Sequence, residues 1–474
     1  MQQREIFGTR LGFLLVSAGC AVGLGNIWRF PWLVGTYGGG LFVFIFLIFV
    51  ALIGLPIMAS EFAIGRGSGM SLGRAFQELQ PKGGKWHLFS YFGMAGNYLL
   101  MFFYTSVVGW VCVYFYRSIT GSFMHMNPEE ITNLFLQGTE GTALVTTGWM
   151  LVVTVASLAV CVLGLQKGVE KFTKVMMSGF YVLLIIIMIR AITLPQMEGI
   201  ETSAIDGLRF FFTPDMSVFE RHHIIDIIFR AMGQAFFSLS LGMGSMLIFG
   251  SYCGKDKSLP GESRNVIGLD LAASLGCALI IFPASFAFGI APNAGPGLLF
   301  ITLPNIFTAM PMGQLFAIIF FLFLIFATIT TVIAVFENIV AFGMDIKGWT
   351  RKKSVTINLC VLLAGSIPTS LGFNVWFDVF HPFVSWLGPN ANLLTLFDFI
   401  ISQNILPLGG AIIVLFCALK KGWGYDNFVA EVNTGEGMKW TKSKGVQLYY
   451  TWVIPGLVAF VFICGYIARF TDIF

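Results

Sequence analysis

The run RLGFLLVSAGCAVGLGNIWRFP, residues 10–31, decides how this chain is read. It is long and apolar enough to cross a hydrocarbon core, which takes roughly 20 residues. Yet Gly19, Gly23, Gly25 and Asn26 sit in its middle, with Arg29 and Pro31 just beyond. Each glycine lowers helix propensity by about 1 kcal/mol, so the stretch can unwind halfway across a bilayer. Gly19 and Gly23 also form a GxxxG pair, whose plain reading is close packing of two helices; that reading leaves Asn26 and Arg29 unexplained. A charged side chain within a span costs at least about 2.5 kcal/mol. Arg29 is therefore expected to face a watery vestibule or an acidic partner.

The rest of the chain agrees that a membrane is its solvent. Of 474 residues, 56% are hydrophobic and 11% charged, with a mean hydropathy of +0.81; ordinary soluble domains carry about 25% charged residues. Fifty Phe and eleven Trp cannot all hide inside a soluble globule of this size. A soluble enzyme, a disordered protein and a nucleic-acid binder are excluded, and the net charge of +4 is too dispersed to call for a polyanion. Apolar runs near 11–33, 41–65, 88–117, 143–163, 172–194, 224–250, 264–290, 312–342, 354–372, 391–419 and 446–469 predict eleven transmembrane helices in one domain spanning 1–474. The run 298–308 is too short to cross and reads as a loop helix on the outer face. No alternating ten-residue pattern suggests a β-barrel, and no removable signal peptide is expected.

Most of the 28 basic residues fall in alternate loops, those holding Arg4 and Arg10, Arg66 to Lys85, Lys167 to Lys174, Lys255 to Arg264, Lys347 to Lys353, and Lys420 to Lys444. The positive-inside rule then places the amino terminus in the cytoplasm and the carboxyl terminus outside the cell (inner) membrane. The eight cysteines are scattered singly, as small apolar core residues are. The five histidines show no metal-ligand spacing. No phosphate-binding GxxxxGK[ST] loop occurs, so any energy for transport is expected from an ion gradient.

A second interrupted stretch, GQAFFSLSLGMGSMLIFGSY, occupies 233–252, with Ser238, Ser240, Gly242 and Gly244 in mid-span. A lone serine in a membrane helix usually bonds its own backbone. Two interruptions five spans apart instead suggest inverted repeats, about 9–195 and 222–420, with an extra helix at about 446–469. Paired breaks of this kind point to a transporter site at the bilayer midplane. Unwound backbone offers carbonyls to a cation and helix N-termini to a carboxylate.

The runs GCAVGLGNIWRFP, QAFFSLSLGMG, GLPIMASEFAIGR (54–66) and KGVEKFTK (167–174, in the fourth loop) closely resemble signatures of the neurotransmitter:sodium symporter family, in order and from Arg4 to about Lys421. The eleven spans resemble its bacterial amino-acid transporter branch. The resemblance implies a leucine-transporter-type fold of five plus five inverted helices, with helices 1 and 6 broken. It also implies two sodium sites. One would use Ala21, Asn26, Ser238 and Asp270 with the substrate's carboxylate; the other would use carbonyls of Gly19, Val22 and Ala327 with the hydroxyls of Thr330 and Thr331. Oxygen-only ligation suits a hard cation. An amino-acid pocket would be lined by Ala21, Gly23, Leu24, Gly25, Leu100, Tyr104, Phe237, Ser238, Ser240, Met243, Thr331 and Val335. Gly23 stands where monoamine-carrying relatives have Asp, which implies a substrate bringing its own carboxylate. Met243 and Val335 beside Ser240 imply a hydrophobic or aromatic side chain. The acid at Asp270 implies transport without chloride, and Glu61 a structural carboxylate bonded to unwound backbone.

Family gates carry over onto Arg4 and Asp345, with Tyr252, inside, and onto Arg29 with Gln234 outside. Two departures stand out. The family's outer acids lie three residues apart, and here Asp398 fills the first place while Ile401 fills the second. Either Asp398 serves from one turn away, or closure relies on Tyr104 and Phe237. Ser178 and Gly179 replace a proline that many relatives carry in span five. The expected function is sodium-coupled import of a neutral amino acid. The alternatives are symport of another small zwitterion, such as a betaine or γ-amino acid, and a sensor that binds but does not move its ligand. Arg29, Glu61, Asp270 and Asp398 are the ionisable residues expected on or beside the pathway. The expected partners are the amino acid and the lipid bilayer, with no nucleic acid and an open oligomeric state.

Overall fold

A computed structural model describes residues 5–133, 143–196, 199–289, 297–373 and 375–470. Arg4, expected at the inner gate, lies outside them. Among the described residues nine helices are long and apolar enough to cross a membrane, or ten when one bent pair is counted as a span.

That bent pair is α1 (Arg10–Ala21) and α2 (Gly25–Thr36), which meet at 57°. Thr9 caps α1 by accepting the Gly12 N–H at 3.0 Å. The helix stops at Val22, which is extended at ψ 109°. The chain then resumes through a π turn, Gly25–Arg29. The sequence run that opens the chain is thus two helices around a three-residue break. The second interruption is wider. Helix α7 (Ile224–Ser238) ends in a linker at 239–246, and α8 (Leu247–Ser251) follows. Three linker residues take positive φ: Ser240 at 51°, Gly242 at 94° and Gly244 at 71°. The two glycines adopt this conformation freely, and Ser240 does so against its preference. Neither α7 nor α8 is long enough to cross alone. The expected sixth span, 224–250, is therefore this interrupted pair among the described residues.

The remaining helices are α3 (Gly40–Ser68), α4 (Leu88–Thr120), α5 (Ala143–Val162), α6 (Leu165–Ile192), α9 (Leu259–Ala287), α10 (Gly313–Lys347), α11 (Arg351–Leu371), α12 (Leu393–Ala418) and α13 (Lys444–Ile467). Helices α4, α9 and α10 are enclosed by their neighbours; α6 and α13 show most of their surface outward. Outward residues such as Val175, Val182, Trp452 and Phe460 are apolar, as a lipid-facing surface requires. The segment 167–174, expected in a loop, forms the first turns of α6. A short apolar helix at Leu299–Thr308 matches the expected loop helix and packs Phe307 on Phe320 of α10 at 5.6 Å.

The wide linker fits only because glycine faces glycine. A Cβ on Gly409 of α12 would stand 1.7 Å from the Gly242 carbonyl oxygen, and one on Gly242 would stand 2.0 Å from that of Leu406. Its backbone polar groups find partners on three helices. Glu61 of α3 accepts N–H groups from Gly242 at 2.7 Å and Met246 at 3.0 Å. Asn97 of α4 donates to the Met243 carbonyl at 2.9 Å, and Asn338 of α10 donates to that of Gly244 at 3.4 Å. Buried, non-helical backbone is tolerated at membrane depth only with such partners.

Candidate functional site

Both breaks border one narrow cavity of about 20 Å³. Ten of the twelve expected pocket residues line it: Ala21, Gly23, Leu24, Gly25, Leu100, Tyr104, Phe237, Ser240, Met243 and Thr331. Ser238 and Val335 do not. Ser238 turns its hydroxyl away to Asp270, at 2.6 Å, and Val335 is fully buried in α10. Ile401 and Leu406 of α12 complete the wall instead. Ile401, which stands in place of the expected second outer acid, is therefore part of the cavity's apolar lining.

At one edge, the Leu24 N–H donates to Tyr104 Oη at 3.2 Å. Gly23 is confined, because a Cβ there would lie 2.4 Å from Tyr104 Oη and 2.8 Å from Thr331 Oγ1. The polar groups of the cavity thus gather at the break in α1. The opposite wall, Leu100, Met243, Ile401 and Leu406, is apolar.

Below the break, the five residues expected at one sodium site converge. Thr331 Oγ1 lies 3.1 Å from the Gly19 carbonyl oxygen, 3.0 Å from that of Val22 and 3.2 Å from that of Ala327. Thr330 Oγ1 lies 2.9 Å from the Ala327 oxygen. A hydroxyl has one hydrogen to donate, yet Thr331 faces three acceptors, two of them orphaned where α1 ends. Oxygens crowded in this way repel one another unless a positive charge sits among them.

The second group centres on Asp270 of α9, which is fully buried. Its Oδ1 accepts from Asn26 Nδ2 at 2.7 Å and its Oδ2 from Ser238 at 2.6 Å. Asn26 Nδ2 also meets Ser274 Oγ at 2.8 Å, while Asn26 Oδ1 accepts the Gly23 N–H at 3.0 Å. These partners are all neutral. A buried carboxylate of this kind needs a cation or a proton to be tolerable. Ala21, expected to add a carbonyl, lines the neighbouring cavity.

At the expected outer gate, Arg29 lies over the Phe237 ring with its guanidinium carbon 4.5 Å from the centroid. It donates to Ser402 at 3.0 Å, and Ser402 in turn donates to Asp398 at 2.6 Å. Asp398 itself stands 3.9 Å from Arg29. Asp398, expected to serve from one turn away, thus reaches Arg29 with Ser402 as the intermediary. Gln234 donates to the Gly25 carbonyl at 2.9 Å, bracing α7 against α2.

Among the residues expected at the inner gate, Asp345 accepts the Ser71 N–H at 2.6 Å. Tyr252 donates to Glu337 at 2.7 Å, and Arg351 pairs with Glu337 through two contacts of 2.7 and 3.0 Å. Glu337 is wholly buried in α10 and was not among the ionisable residues expected on the pathway. It was legible by the same rule that singled out Asp270, a charge within an apolar run. Glu170 adds a further closure, accepting the Gly8 and Thr9 N–H groups at 2.8 and 3.2 Å and so tying the start of α1 to α6. It sits inside the KGVEKFTK run, which marked the segment without marking this residue.

Known proteins agree with this architecture. The family model described as "Sodium:neurotransmitter symporter family" matches residues 4–133 and 130–470. An uncharacterized sodium-dependent transporter of Bacillus subtilis, YhdH, is 32% identical over 464 residues, covering 96% of each chain. Another uncharacterized sodium-dependent transporter, from Methanocaldococcus jannaschii, is 31% identical over 83% of this chain and 80% of its own. The crystal structure of MhsT in complex with L-phenylalanine superposes with a TM-score of 0.86 at 35% identity, covering 98% of this chain and all of that one. The chain belongs to the sodium:neurotransmitter symporter family and is a sodium-dependent membrane transporter with the leucine-transporter-type fold.

Proposed function

We propose that this protein imports a neutral, hydrophobic or aromatic amino acid together with two sodium ions, by alternating access and without chloride. The observation that carries the reading is the placement of two oxygen-rich clusters, around Thr331 and around Asp270, against a cavity whose polar edge is backbone. Gly23 leaves no room for an acidic side chain, so the carboxylate belongs to the substrate. Its docking place is the Leu24 N–H and the Tyr104 hydroxyl. The apolar wall suits the substrate side chain, and MhsT was solved with L-phenylalanine.

Asp270, with only neutral hydrogen-bond partners, supplies the negative charge that balances a bound sodium; this is the basis for chloride independence. Thr330, Thr331 and the carbonyls of Gly19, Val22 and Ala327 hold the second ion. Closure of Tyr104 and Phe237 under Arg29 seals the outside. Parting of the Tyr252–Glu337–Arg351 cluster, together with the Arg4 and Asp345 pair, opens the inside. Two charges falling through 100 mV release about 4.6 kcal/mol, enough for roughly a thousandfold accumulation. The chain acts as a transporter, not an enzyme. It is set in the cell membrane with its amino terminus in the cytoplasm, and two inverted repeats, about 9–195 and 222–420, are followed by α13.

Uptake of labelled phenylalanine into proteoliposomes, driven by a sodium gradient in chloride or in gluconate, tests this. Equal uptake in both anions and none without sodium is expected. Collapse in gluconate refutes chloride independence. Sodium-dependent binding without flux would make the protein a sensor.

A further inference from the structure

At the end of the bundle where α4 begins and α12 ends lies an open groove of about 670 Å³, a size ordinary for small-molecule sites. It is separate from the transport cavity and shares no residue with it. Its floor and walls are apolar, formed by Phe89, Phe92, Leu408, Ala411 and Ile412, with Leu88 57% exposed at its edge. Its rim is basic. Lys85 and Trp86 line it, and the Trp86 indole donates to the Lys421 carbonyl at 2.8 Å. That bond joins two segments 335 residues apart, one carrying Lys82 and Lys85 and the other Lys420 and Lys421, and sets the Lys421 backbone against Trp86 beside Lys85. Among the described residues no carboxylate pairs with any of these four lysines. The acid nearest each pair in sequence is engaged elsewhere, Glu78 with Arg74 at 3.5 Å and Asp426 with Lys442 at 2.9 Å.

An apolar slot with Trp86 and Lys85 at its rim, and the Lys421 segment bonded to that tryptophan, is complementary to a molecule with an acyl tail and an anionic head. Tryptophan marks the headgroup level. Basic pockets between membrane helices select anionic lipid heads. We propose that this groove binds one anionic phospholipid, its acyl chain against Leu88, Phe92, Leu408 and Ile412 and its phosphate held by Lys85 and Lys421. The claim does not depend on which amino acid is transported, nor on which side of the membrane this end faces.

The test is thermal unfolding of the full chain in detergent supplemented with phosphatidylglycerol or with phosphatidylcholine of the same acyl composition. Native mass spectrometry counts the lipids retained. Phosphatidylglycerol is expected to raise Tm about 2–4 °C more than phosphatidylcholine, with one molecule retained per chain. In a Lys85→Gln, Lys421→Gln variant the difference disappears, while the Lys421 carbonyl that receives Trp86 is kept. Ala411→Phe fills the slot without touching the charges and lowers retention. Equal shifts from both lipids, or a phosphatidylglycerol preference that survives in both variants, would overturn the proposal. So would an equal gain from an acidic peptide, which would assign the rim to a protein partner.

Discussion

Gly23 and Thr331 face each other across the edge of the cavity, and both are intolerant of change for reasons of space and charge. A Cβ at position 23 would enter the space of Tyr104 Oη and Thr331 Oγ1, so Gly23→Ala is expected to weaken amino-acid binding tenfold or more in an equilibrium binding assay. Unchanged affinity would remove Gly23 from the site. Thr331→Val keeps the shape and deletes the hydroxyl that faces three carbonyl oxygens. The sodium concentration for half-maximal uptake should rise about tenfold, equivalent to roughly 1.4 kcal/mol. These positions were legible in the sequence because glycine, threonine and asparagine are conspicuous in an apolar span. Ile401 and Leu406 were not, since one apolar residue among many gives no sign of facing a cavity. Ser402 was hidden for the matching reason: the sequence pointed to an acid for Arg29, and a serine relays that acid.

At the scale of elements, the linker between α7 and α8 is held by Glu61 on one side and by Asn97 and Asn338 on the others. Replacing Glu61 with leucine leaves the Gly242 and Met246 N–H groups buried without partners. Unmade hydrogen bonds of this kind cost about 1–3 kcal/mol each, so a lower melting temperature is expected, with Glu61→Gln closer to the native value. Gly409→Ala pushes α12 off the Gly242 carbonyl; transport should fall while membrane insertion, followed by expression and gel filtration, stays normal. Both interruptions were visible as clusters of glycine and serine. Their widths were not, because the break in α1 is set by three residues, whereas the linker at 239–246 exists only where α12 offers a glycine to meet it. The start of α6 was placed in a loop because its charges outweigh its apolar residues, and the structure spends those charges on tying down the amino-terminal segment through Glu170.

Across the whole molecule, scarce charge does two kinds of work. Basic residues gather at one end of the bundle, and the buried acids Glu61, Asp270 and Glu337 lie along its interior. The first group is the basis of the proposed topology. A reporter fused after residue 474 should be active when it needs the extracytoplasmic side and silent when it needs the cytoplasm, and the reverse would invert the orientation. The fold as a whole was legible, since its apolar runs and two breaks require no knowledge of packing. The cluster of Tyr252, Glu337 and Arg351 needed the structure, because it joins the end of α8 to α10 and α11. The central claim is that sodium, held by the two oxygen clusters, drives an amino acid through the cavity. The most direct measurement is counterion-controlled uptake of phenylalanine by proteoliposomes, comparing the native chain with Thr331→Val across a sodium series. Sodium-driven accumulation that shifts to higher sodium in the variant is the predicted result; uptake indifferent to sodium, or a variant that titrates like the native protein, would contradict it.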